Sequence, residues 1–130
     1  MQTLWIRGLF YVVGAYDTLM GVWFLLFGSA TYDHFHIERP NHPGYLHFPA
    51  LLLMVFGLLM VQIAGDPRRF RPMMLCAMGL KLAFSGVVFY HHYLGGGLPA
   101  MWLPFAYLDA ACLVPMVMAW VETGKNGKTA

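Results

Sequence analysis

Four apolar stretches, parted by short polar connections, take up most of this 130-residue chain. They run over about 4–28, 47–64, 73–93 and 99–121. A helix needs ~20 mostly apolar residues to cross the hydrocarbon of a bilayer, and each stretch meets that length. Composition agrees, with 59% apolar and 11% charged residues, against roughly 45–50% and 25% in soluble domains. A water-soluble fold of this size has no interior large enough for so much apolar surface. That excludes a soluble enzyme and a disordered chain. The expected fold is all-α: one domain over residues 1–130, an antiparallel bundle of four transmembrane helices, with a cytoplasmic tail at 122–130.

The connections set the topology. The turn at 66–72 holds Asp66, Pro67, Arg68, Arg69 and Arg71, and makes the second and third spans a hairpin. Gly95, Gly96 and Gly97 link the third span to the fourth. The one long loop, 30–46, is rich in Tyr, His and Pro. Pro49 and Pro99 suit the first turns of their helices, where a missing N–H costs little. Pro104 and Pro115 fall inside the fourth span as candidate kinks. The first span is too long for a signal peptide and contains Asp17, so it is read as a retained membrane helix.

Net charge is +2, and the basic residues are scattered. A nucleic-acid surface would need them clustered on one face, so no nucleic-acid partner is expected. Arg7, Arg68, Arg69, Arg71, Lys125 and Lys128 fall on one side of the membrane and Arg39 on the other. The positive-inside rule then puts both termini in the cytoplasm. Cys76 and Cys112 lie within apolar spans, and are read as buried packing residues rather than a disulfide.

Three ionisable residues, Asp17, Lys81 and Asp109, stand near the middle of spans one, three and four. Left uncompensated, they would cost roughly 8–10 kcal/mol on insertion scales. They are therefore expected to face inward and meet. The neighbours support that. Gly14, Asp17, Gly21 and Gly28 share a stripe of span one, and small residues let helices approach closely. Ala77, Lys81, Ser85 and His92 share a face of span three, and Ala106, Asp109 and Leu113 one of span four. Such a network is either a proton relay or polar substrate site, or a structural device that fixes helix register.

The topology sends all six histidines, His34, His36, His42, His47, His91 and His92, to the outer side. Imidazole suits zinc, copper and iron, so these are candidate ligands for a transition metal. His47 and His92 are candidate axial ligands for a b-type haem between helices. The competing reading is an amphipathic belt in the headgroup zone, shared with Tyr32, Tyr45, Phe48, Tyr90 and Tyr93. No HExxH, CxxC or phosphate-loop motif occurs. Ser85 shares a face with His92 but has no base and orienter set to activate it.

Tyr16-Asp17 with Gly21, then Phe56-Gly57, the turn Asp66-Pro67-x-Arg69, Lys81 and Asp109 together resemble the small four-helix bacterial membrane proteins of the DoxX-like group. The resemblance covers most of the chain. It implies a four-helix bundle in a bacterial inner membrane and an association with redox systems. The histidine-rich loop lies outside the resemblance.

Three functional expectations follow. The first is an accessory or assembly subunit of a larger membrane complex, redox complexes included, not an enzyme by itself. Its partners would be the lipid bilayer and other membrane subunits, or further copies of itself. The second is a metal- or haem-binding redox protein using the outer histidines. The third is a small proton-coupled transporter using the midplane Asp-Lys-Asp network.

Overall fold

The computed structural model of the chain describes residues 2–127. Four helices carry the fold: α1 (Gln2–His34), α2 (Gly44–Gly65), α3 (Arg71–Phe89) and α4 (Leu103–Gly127). Among the described residues, all four are long and apolar enough to cross a membrane. The all-α, four-helix expectation holds, and its physical basis is simple. Lipid offers no hydrogen bonds, so a spanning backbone must satisfy its own N–H and C=O groups.

The helices alternate in direction. The start of α1, the 66–70 turn and the end of α4 lie at one end, here called the turn end. The 35–43 loop and the 95–99 link lie at the other, the loop end. α1 packs chiefly on α2, and α3 on α4. At the turn end the two pairs join in one apolar core built from all four helices. Ile6 and Phe10, Met60 and Ile63, Met74, and Met116 all meet there.

The α1–α2 seam explains the glycine stripe. Gly14, Gly21 and Gly28 are buried along α1, two helical turns apart. A Cβ placed on Gly21 would lie 2.5 Å from the Ala50 carbonyl oxygen and 2.7 Å from Met54 Cγ. Gly57 of α2 faces Thr18 and Gly14 in the same manner. Only hydrogen at these Cα atoms lets the two backbones come this close.

Helix ends differ from the expected boundaries. α1 continues six residues past Gly28 to His34, a length of roughly 50 Å at 1.5 Å per residue against ~30 Å of hydrocarbon. Thr31 holds the extra turn: its hydroxyl donates to the Phe27 carbonyl at 2.9 Å and accepts from Trp23 Nε1 at 3.0 Å. The helix then stops in a left-handed cap. His36 has φ +54°, its N–H reaches the Asp33 carbonyl, and the Ile37 N–H reaches that of Tyr32. That is the Schellman bond pattern, with histidine where glycine is usual.

α2 begins at Gly44, so Pro49 falls in its second turn rather than its first. The Tyr45 carbonyl is thereby denied its usual donor four residues on. α3 ends in a π-helical turn over Tyr90–Leu94. Pro99 precedes a 3₁₀ turn, Ala100–Trp102, in an extended conformation (ψ 141°). Pro104 is the second residue of α4, where it breaks nothing, and Pro115 alone is internal. α4 runs on to Gly127, so the expected tail is helical over 122–127. Lys128 lies outside the described residues.

At the turn end, two of the basic residues also serve packing. Arg7 Nε donates to the Ala64 carbonyl in the last turn of α2 at 2.9 Å. Arg71 Nε donates to the Trp120 carbonyl at 3.0 Å, and its guanidinium lies 4.0 Å from the centre of the Trp120 ring.

Candidate functional site

The midplane residues meet as expected. Lys81 Nζ donates to Asp17 Oδ1 at 2.6 Å and to Asp109 Oδ1 at 3.1 Å. Asp17 and Lys81 are each 1% exposed and Asp109 6%. One lysine thus ties α1 to α4 through α3. The reason lies in helical spacing: Asp17 is on the buried glycine stripe, Lys81 on the Met74–Ala77–Ser85–Val88 face, and Asp109 on the Ala106–Met116–Ala119 face. Lys81 Nζ also lies 5.4 Å from the centre of the Tyr16 ring. Ser85 turns its hydroxyl to the Lys81 carbonyl at 2.7 Å, so it is part of the helix and not an activated nucleophile.

One atom of the network is left over. Asp17 Oδ2 is buried and, among the described residues, accepts no hydrogen bond. Leaving a buried charged acceptor unpaired costs ~1–3 kcal/mol or more.

Above the network, toward the loop end, the bundle opens into a cavity of about 340 Å³. Asp17 and Asp109 form its floor, with Tyr16 beside them. Its walls are apolar, part aliphatic and part aromatic. Trp102 sits at the centre of the aromatic cluster, with ring centres 5.3 Å from Phe24, 6.2 Å from Tyr32, 6.4 Å from Phe84 and 6.5 Å from Phe105. All five line the cavity. Leu52 on α2 and Val87 on α3 also line it, yet are 37% and 56% exposed. The cavity therefore reaches the surface between α2 and α3, on a flank of exposed apolar residues. Below the network, the packed core at the turn end closes the path.

These aromatic residues escaped the sequence reading, although a signal was present. Phe24 follows Asp17 by seven residues, Phe84 follows Lys81 by three, and Trp102 and Phe105 precede Asp109 by seven and four. Those are same-face helical spacings. In the alternating topology each aromatic residue falls on the loop-end side of its charged neighbour.

The histidines behave differently. Among the described residues, no group of three or more His, Cys, Asp or Glu stands close enough to hold a metal ion. His34 is exposed at the end of α1, its ring 5.1 Å from that of Phe35. His36 is engaged as the left-handed cap. His42 Nδ1 accepts the Gly44 N–H at 2.9 Å and so helps start α2. His47 and His91 are exposed. His92 Nδ1 donates to the Leu98 carbonyl at 3.1 Å, pinning the glycine link. None of the six lines the cavity. Asp33 is ion-paired with Arg39 across the α1 cap. Both cysteines are free thiols, and Cys76 is exposed rather than buried.

Comparison with protein-family models, with curated proteins and with solved structures returns no match.

Proposed function

We propose that this chain is a membrane-embedded binding protein for a lipophilic small molecule, taken from the bilayer between α2 and α3. The observation that carries the reading is the 340 Å³ apolar cavity floored in part by Asp17, whose buried Oδ2 has no hydrogen-bond partner among the described residues. Ligand sites are typically apolar cavities of ~300–1,000 Å³ with a few convergent polar groups. This one has that size and that division. A purely structural ion network has no use for an open cavity beside it, and close packing there would be the more stable arrangement.

Orientation and location enter as part of the same proposal. The basic bias at the turn end supports cytoplasmic termini, which sets the cavity in the outer half of the membrane. The DoxX-like resemblance supports a bacterial inner membrane. An accessory role beside a larger membrane complex is compatible with this reading, because a cavity can hold a lipophile for a partner.

The test is saturable binding of a neutral, environment-sensitive lipophilic fluorophore to the protein in lipid nanodiscs. Saturable uptake is expected, and Leu53→Trp, which fills the cavity from α2, is expected to abolish it. Uptake equal to that of empty nanodiscs would overturn the reading. A carrier function has one observation in its favour: the cavity opens to one side of the buried charges and is closed on the other, as in one state of an alternating-access cycle. Flux of the bound compound into proteoliposomes, lost in Asp109→Asn, would separate a carrier from a binding protein.

A further inference from the structure

The binding reading leaves the head group of the ligand open, and the floor of the cavity bears on it. We infer that the site takes a lipophilic cation: a protonated amine on an apolar, aromatic-sized body. The inference rests on the proposed binding function and adds the ligand's charge.

Three observations converge. The first is charge count. With two carboxylates and one ammonium, the floor carries a net charge of −1 when all three are ionised. Lys81 is already used, holding one oxygen of each aspartate, so it cancels one negative charge and leaves the other. An unbalanced charge in an apolar setting is costly, and is relieved either by a proton taken up on the carboxylate or by a cation brought to it.

The second is the unpaired acceptor. Asp17 Oδ2 belongs to a residue that lines the cavity and is 1% exposed, and it takes no hydrogen bond from the described residues. An ionised carboxylate only accepts, so what completes it must donate. A protonated amine supplies the donor and the missing positive charge together.

The third is the wall. Trp102, Phe24, Tyr32, Phe84 and Phe105 line the same cavity as Asp17. Aromatic faces attract cations, and tryptophan does so best. A neutral alcohol could meet the hydrogen-bond need but would leave the charge unmatched and make no use of the rings as cation partners.

The experiment compares two probes on the same protein in nanodiscs: an arylalkyl primary amine, and the alcohol of the same skeleton. The amine is expected to bind at least tenfold more tightly. Asp17→Asn, which keeps the side-chain shape and leaves the Lys81–Asp109 pair in place, is expected to erase that preference, so that the affinities of the two probes fall within about twofold of each other. Equal affinity for the two probes would overturn the cation and leave the cavity reading standing. A preference that survives Asp17→Asn would overturn the assignment of the head group to Asp17. Saturable binding of neither probe would overturn the cavity reading, and this inference with it. The comparison of probes on the unaltered protein decides the matter even where Asp17→Asn fails to fold.

Discussion

Replacing Lys81 with Met takes away the cation that Asp17 and Asp109 share. The two contacts, at 2.6 and 3.1 Å, correspond to roughly 6 and 5 kcal/mol of gross attraction at an effective dielectric of about 20. Most of that is offset by the desolvation of three buried ions, so the pairs add far less than the gross figure to stability. Removal of one partner is another matter, because the desolvation is still incurred and the compensation is gone. The expected loss is ~3–5 kcal/mol. The assay is reversible unfolding from mixed micelles by added dodecyl sulfate, followed by circular dichroism. The variant Lys81→Met with Asp17→Asn and Asp109→Asn carries no midplane charge and is expected to recover at least half of the loss. A cost for Lys81→Met below ~1 kcal/mol would refute the reasoning, since breaking a buried pair costs more than that. A triple variant as unstable as the single one would refute it too, by showing that lost packing and not unmatched charge is responsible.

Other substitutions probe other parts of the argument. Gly21→Leu drives a side chain into the Ala50 carbonyl and Met54, and is expected to cost ~1–3 kcal/mol or more through overpacking, read in the same unfolding assay. His36→Gly relieves the left-handed cap at φ +54° and is expected to stabilise the protein by about 1 kcal/mol; a loss of stability would mean that the imidazole does more there than occupy the cap. For orientation, Asn41→Cys in a background of Cys76→Ser and Cys112→Ser is expected to react with a membrane-impermeant maleimide added to intact cells. Labelling only after lysis would reverse the assigned direction.

Much of the fold was legible in the residues themselves. Long apolar runs can only be helices in lipid, because no other open structure satisfies its backbone there. The meeting of Asp17, Lys81 and Asp109 was legible for a similar reason: each charge is too costly to face lipid, and helical spacing fixes which neighbours travel with it. Even the α1–α2 seam was signalled by glycines seven residues apart.

Elsewhere the sequence allowed more than one outcome. Six histidines at helix ends and in loops are consistent with a metal site or with interface residues. The choice turns on a few ångströms of loop geometry, and here a left-handed cap, a helix start and a glycine link engage three of them separately. Helix ends moved because local bonds, such as Thr31 to Phe27, outlast the hydrophobic pattern that sequence reading follows. The cavity is the clearest case. Phe24, Phe84, Trp102 and Phe105 are ordinary apolar residues along the chain, and nothing local separates a residue that packs from one that lines a space. Tight packing at the turn end and an opening between α2 and α3 at the other are properties of four helices together. The sequence thus settled which faces turn inward, through the cost of charge in lipid and the 3.6-residue period. Only the tertiary structure decided that the inward faces fail to close above Asp17, because a void is defined by its neighbours and not by any one segment.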